Sequence, residues 1–342
     1  MVEATSSRVA GQEADVEILP ATGGGPVAAS PQRENVLGGL AESEAYVGSL
    51  DRRSLHKTPG LYTRAWRRFR KNRVAMTALV VLLLIFLFVL SAGLISQHVT
   101  HFTPSENHLG DKLKPVMTDG YILGSDGNGR DILTRLAYGG RVSIRIAILS
   151  GLATFFLGGA FGLLAGYSGG KIDSIIMRLV DVLLSIPGLP LLILIASLYA
   201  PGPEGLALVL AIVSWPSIAR IVRGQVLELR GREFVDAARS LGASPVRIVM
   251  RHILPNILPL MIVYISLTIP GLILAETGLS FLGIGVQVPT PSWGNMLGDA
   301  QQFFRTNIAG VLIPGLMIYI TSLSMNLVGN GLRDALDPKL TE

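Results

Sequence analysis

The sequence holds no cysteine, which excludes a disulfide framework and any thiolate metal site. Charge is also scarce: Asp, Glu, Lys and Arg make up 15% of the 342 residues, against about 25% in soluble domains. No Gly-x-x-x-x-Gly-Lys-Ser/Thr loop is present, so no Walker site for ATP is expected. The nearest Gly-rich stretch, Gly124-Ser125-Asp126-Gly127-Asn128-Gly129, lacks the lysine. No His-Glu-x-x-His and no nucleophile–base pairing stands out, so nothing supports an enzyme. No soluble domain large enough for its own core is visible, which argues against a signalling or anchoring protein.

What the chain has in quantity is apolar mass, at 49% of residues, gathered into long runs. A run of about 18 apolar residues is long enough to cross a hydrocarbon core. Spans are expected at 74–95, 142–167, 179–200, 206–222, 257–284 and 308–328. The third is broken by Pro187 and Pro190, and the fifth contains Pro270. Gly169–Asp173 and Pro201–Gly205 read as tight turns. The expected class is an all-α polytopic membrane protein with six transmembrane helices.

A net charge of +5 would suggest an acidic partner in a soluble protein. Here the basic residues sit beside the apolar runs and serve as topology signals, so no nucleic-acid partner is expected. Residues 1–58 are rich in Gly, Ala, Ser, Pro and Glu without apolar periodicity and read as a disordered tail. They lack the basic start and short apolar core of a secretory signal. The segment 59–73, with Arg64, Trp66, Arg67, Arg68, Phe69, Arg70, Lys71 and Arg73, is basic and aromatic. It reads as a topology signal or as an interfacial helix on anionic lipid. The segment 223–256 is dense in arginine, whereas the loops 201–205 and 285–307 hold only Arg305. By the positive-inside rule both termini and 223–256 face the cytoplasm, and the loop 96–140 lies outside. The transmembrane domain then covers 74–342.

The cytoplasmic loop carries the most information. Phe234, Ala237, Ala238 and Leu241 follow i, i+3, i+4, i+7 spacing and share one short-chained helical face. Gly242 suits a left-handed cap. Ser244 is then an N-cap, with Pro245 at the first helical position. Val246, Val249, Met250 and Ile253 are expected on a second apolar face, with Arg247 and Arg251 opposite. Pro255 is expected to end that helix, because the residue before proline avoids the α region. Helix, hinge and helix between two spans make either two lipid-bound helices or a rigid docking element. The small residues and fixed bend favour docking, since a lipid-bound helix takes bulkier apolar residues.

The run Asp236-Ala237-Ala238, then Gly242, then Leu254-Pro255 resembles the EAA loop of binding-protein-dependent ABC importer permeases. Asp236 replaces the glutamate of that pattern, and His252 stands where it has isoleucine. Leu123-Gly124-Ser125-Asp126-Gly127-Asn128-Gly129-Arg130-Asp131 is similar to an external-loop motif of the dipeptide, oligopeptide and nickel group. Leu279–Gly285, Pro291–Gly294 and Leu332–Pro338 are similar to segments of its C-type subunit. The resemblance covers about 60–342.

It implies a type I (MetI-like) permease fold and a non-catalytic subunit of the plasma membrane that needs no cofactor. The implied partners are a second permease, two cytoplasmic ATPases and an external solute-binding protein. It places ATPase coupling on Glu233, Asp236, Ala237, Ala238, Gly242, Ala243, Arg247, Leu254 and Pro255. Peptide is the implied solute, with nickel and other small solutes carried by similar permeases. A rival from another class, a secondary transporter or channel, predicts inverted repeats and a charged pathway, and no clear repeat is visible.

Arg130 occupies a calcium-ligand position of the 126–130 stretch, so Gly124, Asp126, Gly129, Arg130 and Asp131 read as a turn-rich loop. His98, His101 and His108 are close in sequence, and surface polarity explains them without a metal. Asp181 pairs with Arg178 or lines a pathway. Glu276, inside a span, is a substrate contact or a buried hydrogen bond to a neighbouring subunit.

Overall fold

The computed structural model describes residues 61–118, 120–199 and 202–336, all within the unit Gly60–Glu342. The tail expected at 1–58 lies outside them, as do Asp337 and Pro338. The described residues form eleven principal helices, and among them there is no strand. They are α1 Leu61–Lys71, α2 Arg73–Leu90, α3 Ile132–Ser168, α4 Gly170–Ser185, α5 Gly188–Tyr199, α6 Pro203–Arg230, α7 Glu233–Ser240, α8 Pro245–Ile248, α9 Leu254–Phe281, α10 Trp293–Ala300 and α11 Ala309–Leu336. Five helical stretches are long and apolar enough to span a membrane, and the bent pair α4–α5 makes a sixth if counted as one.

Local chemistry sets the helix starts. Asn72 caps α2, its side chain accepting from Ala75 N at 3.1 Å. Asp131 caps α3, with Oδ2 accepting from Thr134 N at 2.7 Å. Pro203 opens α6, where a missing N–H costs nothing. Ser292 and Asn295 form a reciprocal capping box at α10.

Those caps move several expected boundaries. The span expected at 142–167 begins at Ile132, because Asp131 starts the helix outside the apolar run. The external loop 96–140 is shorter for the same reason, and Ile95–Thr100 already forms a π turn. Pro203, Glu204 and Gly205 lie in the first turn of α6, not in a turn between helices. The turn expected at Gly169–Asp173 needs only Gly169 and Gly170, at φ 66° and 56°, and α4 starts at once. The third span is two helices bent by 87°. Ile186 is extended (φ −91°, ψ 129°) ahead of Pro187, which ends α4, whereas Pro190 sits inside α5. Arg223 belongs to α6, and α11 continues past 328 to Leu336.

The largest helix pair is α3 with α6. Gly158, Gly162 and Gly166 line the contact at four-residue spacing. A Cβ on Gly158 would stand 2.6 Å from Ile218 Cβ, and one on Gly166 2.7 Å from Val226 Cβ. Small residues at this spacing let two backbones approach in a membrane, where helix contacts rest on van der Waals fit. α9 packs on α3 and α11, while α11 also holds α2 and α1. Trp293 of α10 is fully buried beside the start of α3, donating Nε1–H to Leu136 O at 2.9 Å. On α2, Leu83, Leu84, Leu87 and Leu90 are each more than half exposed, as a lipid-facing surface requires.

Candidate functional site

The 233–255 segment folds as helix, hinge and helix. α7 ends in a Schellman cap: Gly242 N donates to Arg239 O at 3.0 Å and Ala243 N to Ala238 O at 3.1 Å. Gly242 has φ 77°, a conformation glycine adopts without penalty. Ser244 caps α8, its hydroxyl accepting from Arg247 N at 3.4 Å, and Pro245 is the first helical residue.

Pro255 does not end the second helix. A π turn, Val249–Ile253, joins α8 to α9. Leu254 N donates to Val249 O across five residues, and Leu254 itself is helical at φ −54° and ψ −46°. Pro255 therefore falls in the first turn of α9, where its missing donor is harmless. The same turn breaks the second apolar face. Val246 and Met250 are exposed, whereas Ile248 and Ile253 are buried. Arg247 and Arg251 are both exposed, as expected.

The segment thus has two unlike sides. Val235, Ile248 and Ile253 are buried in one apolar cluster with Ile218, Val222 and Val226 of α6. Phe234, Ala237, Leu241, Val246 and Met250 point outward, Leu241 at 88% exposure. Ala238 and Ala243 are half-buried under the hinge, and Glu233 is exposed. Asp236 pairs with Arg239 at 2.9 Å. Both side chains are more than half exposed, so that pair contributes only about 0–1 kcal/mol. His252 lies 6.5 Å, ring to ring, from Phe234 and so links the two arms.

The outer motif is a wound loop. Gly124 and Gly129 adopt φ 82° and 75°, and a Cβ on Gly129 would stand 1.8 Å from His108 O. Asp126 Oδ1 accepts from Asn128 N at 2.8 Å and Arg130 N at 3.0 Å. Its Oδ2 takes Arg130 Nε at 2.7 Å, while Arg130 Nη2 reaches Asp299 at 2.6 Å. Arg135 Nη2 also donates to Asp299, at 3.3 Å. Asp299 was not legible as a site residue, since its partners lie far away in sequence. Arg130 and Arg135 are almost fully buried but keep Asp126 as a partner, so Asp299→Ala should destabilise this loop by about 1.5 kcal/mol. That is the low end for a charge-assisted hydrogen bond, because Asp299 keeps 35% side-chain exposure. Thermal unfolding of the purified chain in detergent measures it. Tyr121 donates to Asp111 Oδ2 at 3.2 Å in the same loop. Burial, with the Asp111 charge, pushes its phenol up to about 12, so it stays a neutral donor. Among the described residues no three His, Asp or Glu side chains gather as a metal site.

Asp181 pairs with Arg220 on α6, not with Arg178. Eight residues earlier on α4, Asp173 receives both Nε and Nη2 of Arg223, at 2.5 and 2.6 Å. Glu276 is fully buried within its own chain, with Oε1 accepting from Ser280 Oγ at 2.7 Å. Its Oε2 is buried and has no hydrogen-bond partner among the described residues.

An all-α bundle of five or six apolar spans, with a bent span and a stiff polar hairpin between two others, defines a polytopic transport permease. The chain belongs to the family described as binding-protein-dependent transport system inner membrane component, matched over residues 158–342. Residues 60–115 match the N-terminal transmembrane domain of oligopeptide transport permease C. It is 40% identical over 291 residues to the dipeptide transport system permease protein DppC of Bacillus subtilis (strain 168), covering 83% of this chain and 88% of that protein. It is 41% identical over 279 residues to the oligopeptide transport system permease protein OppC of Escherichia coli (strain K12), covering 82% and 91%. Among solved structures, the inward-facing MetNI methionine ABC transporter aligns with 59% of this chain and 96% of its own, at a TM-score of 0.50 and 21% identity. That likeness carries the fold alone. The chain is thus a multi-pass inner-membrane importer permease of the C type, as the motifs implied.

Proposed function

We propose that this chain is one of two permease subunits in an ATP-driven importer of dipeptides or oligopeptides. Its partners are a second, similar permease, two cytoplasmic ATPases and an external solute-binding protein. Both termini and the 233–255 segment face the cytoplasm. There the segment seats an ATPase, with Glu233, Asp236, Ala237, Gly242 and Arg247 on or beside the contact.

One observation carries this reading: the segment buries Val235, Ile248 and Ile253 in one apolar cluster with α6 and exposes Phe234, Leu241, Val246 and Met250 on its other side. A stiff lever transmits displacement to the spans it is fixed to. Closure of the ATPase pair on ATP would tilt α6 and α9 through it, shifting the population from inward-open to outward-open. The names of the relatives support a peptide solute. Selection then rests largely on the binding protein.

Reconstitution tests the proposal. Uptake of a labelled dipeptide into proteoliposomes should need both permeases, the ATPases, the binding protein and ATP. Uptake by this chain alone would support an ATP-independent carrier instead. Within the complete system, Leu241→Asp should cut uptake by about fivefold or more, the scale of a lost coupling of 1–3 kcal/mol, without lowering the amount of chain in the membrane.

A further inference from the structure

A cavity of about 640 Å³ opens at the break between α4 and α5. Leu184, Pro187 and Leu282 line it, together with the hydroxyl-bearing Ser214, Ser217 and Thr268. Among the described residues no ionisable side chain lines it. Charge appears one helical turn away, where Asp181 precedes the lining residue Leu184 along α4 and Arg220 follows Ser217 along α6. The two meet in an ion pair with side chains 57% and 52% exposed.

Arg230 Nη1 comes within 3.1 Å of where a Cβ on Gly169 would stand, so the start of α4 lies within side-chain reach of the end of α6. At about 1.5 Å per residue, Asp181 and Arg220 each lie roughly 15 Å along their helices from those ends, on the cavity side of the Asp173–Arg223 pair. Charged side chains in or beside a span face water or protein and not lipid. The neighbouring pair differs. Asp173 and Arg223 are joined at two points and are less exposed, at 15% and 31%. That geometry suits a fixed anchor of α4 on α6. The single-point pair, more than half exposed in this chain, lies between this anchor and the cavity, and where water reaches it such a pair is worth only about 0–1 kcal/mol.

We propose that Asp181 and Arg220 form a latch at the cytoplasmic floor of the cavity, closed in this conformation and parted when solute leaves inward. This rests on the importer reading above and deepens it by naming gating residues. Asp173–Arg223 holds the end of α4 while the stretch from Asp181 to the bend at Pro187 moves.

The complete transporter, with cysteine-free partner subunits, tests the latch. Asp181→Ala and Arg220→Ala should each raise ATP turnover without solute by about two- to fivefold, the scale of a pair worth up to about 1 kcal/mol. The exchanged pair, Asp181→Arg with Arg220→Asp, should return it to near the wild-type rate. Wild-type turnover in the single variants, or an exchange no better than either single variant, overturns the latch. A second arm uses the absence of cysteine in this chain. Asp181→Cys with Arg220→Cys, joined by a short bifunctional methanethiosulfonate, should lose dipeptide uptake and regain it with reductant. Unchanged uptake in the joined state overturns the proposal. Should wild-type protein fail to carry the dipeptide, the peptide assignment fails, and arrest of ATP turnover by the linker still decides the latch.

Discussion

Gly242→Pro should reduce ATP-driven uptake to background while the chain still accumulates in the membrane. Proline fixes φ near −65°, and Gly242 sits at 77°. Proline also lacks the N–H that Gly242 donates to Arg239 O. The Schellman cap is lost at a cost of about 3 kcal/mol or more, and α7 no longer meets α8 at a fixed angle. The damage stays local, because nothing lies within 4 Å of a Cβ at this glycine. Gly242→Ala is the internal control. It keeps the N–H and pays only the left-handed penalty of about 1–2 kcal/mol, so uptake should be reduced and not abolished. Uptake and membrane level, measured side by side, separate loss of coupling from loss of folding. Normal uptake by the proline variant would mean that the hinge transmits nothing.

Gly162→Leu should act at the opposite end of the account, on the bundle itself. A Cβ there would lie 2.7 Å from both Ala219 O and Val222 Cβ. The carbonyl is backbone and cannot swing away, so α3 and α6 must separate. Overpacking costs about 1–3 kcal/mol even where side chains can adjust, and here the largest helix contact in the molecule opens. The amount of chain in the membrane should fall severalfold, and protease should cut it more readily. Leucine is as apolar as a span allows, so hydropathy would not explain the loss. Gly271→Leu, on α9 with nothing within 4 Å of its Cβ, should be tolerated. Equal levels for the two variants would remove the close approach of α3 and α6 as the basis of the pair.

The contrast between these two glycines shows where the sequence was legible. The hinge announced itself, because a left-handed cap, an N-cap serine and an N1 proline are local choices made by neighbouring residues. Gly158, Gly162 and Gly166 passed unnoticed inside an apolar run, although their four-residue spacing was the available signal. Apolar runs located the spans, yet they could not locate the helix ends. Asp131 begins α3 well before the run becomes apolar, and Arg135 and Arg141 are accommodated by distant partners. Arg141 Nε donates to Val89 O at 2.9 Å, 52 residues away, which no local pattern contains.

Pro255 marks a different limit. The rule that a residue before proline avoids the α region is statistical, and the π turn at Val249–Ile253 overrides it. Within that turn Met250 is exposed and Ile253 buried, although three-residue spacing would put them on one α-helical face. The ion pairs were the least legible features. Asp181 was visible as an unusual charge in a span, but Arg220 became its partner only once α4 folded back on α6.

The most direct test of the central claim uses the one thiol that Leu241→Cys would introduce. Leu241 is the most exposed of the hinge's large apolar residues and projects from the side away from the α6 cluster. A membrane-impermeant thiol reagent should modify it in inside-out vesicles stripped of ATPases, and not in right-side-out vesicles. Adding the ATPases back should protect it and allow crosslinking to them. Modification from the outer face, or equal labelling with and without the ATPases, would contradict the account.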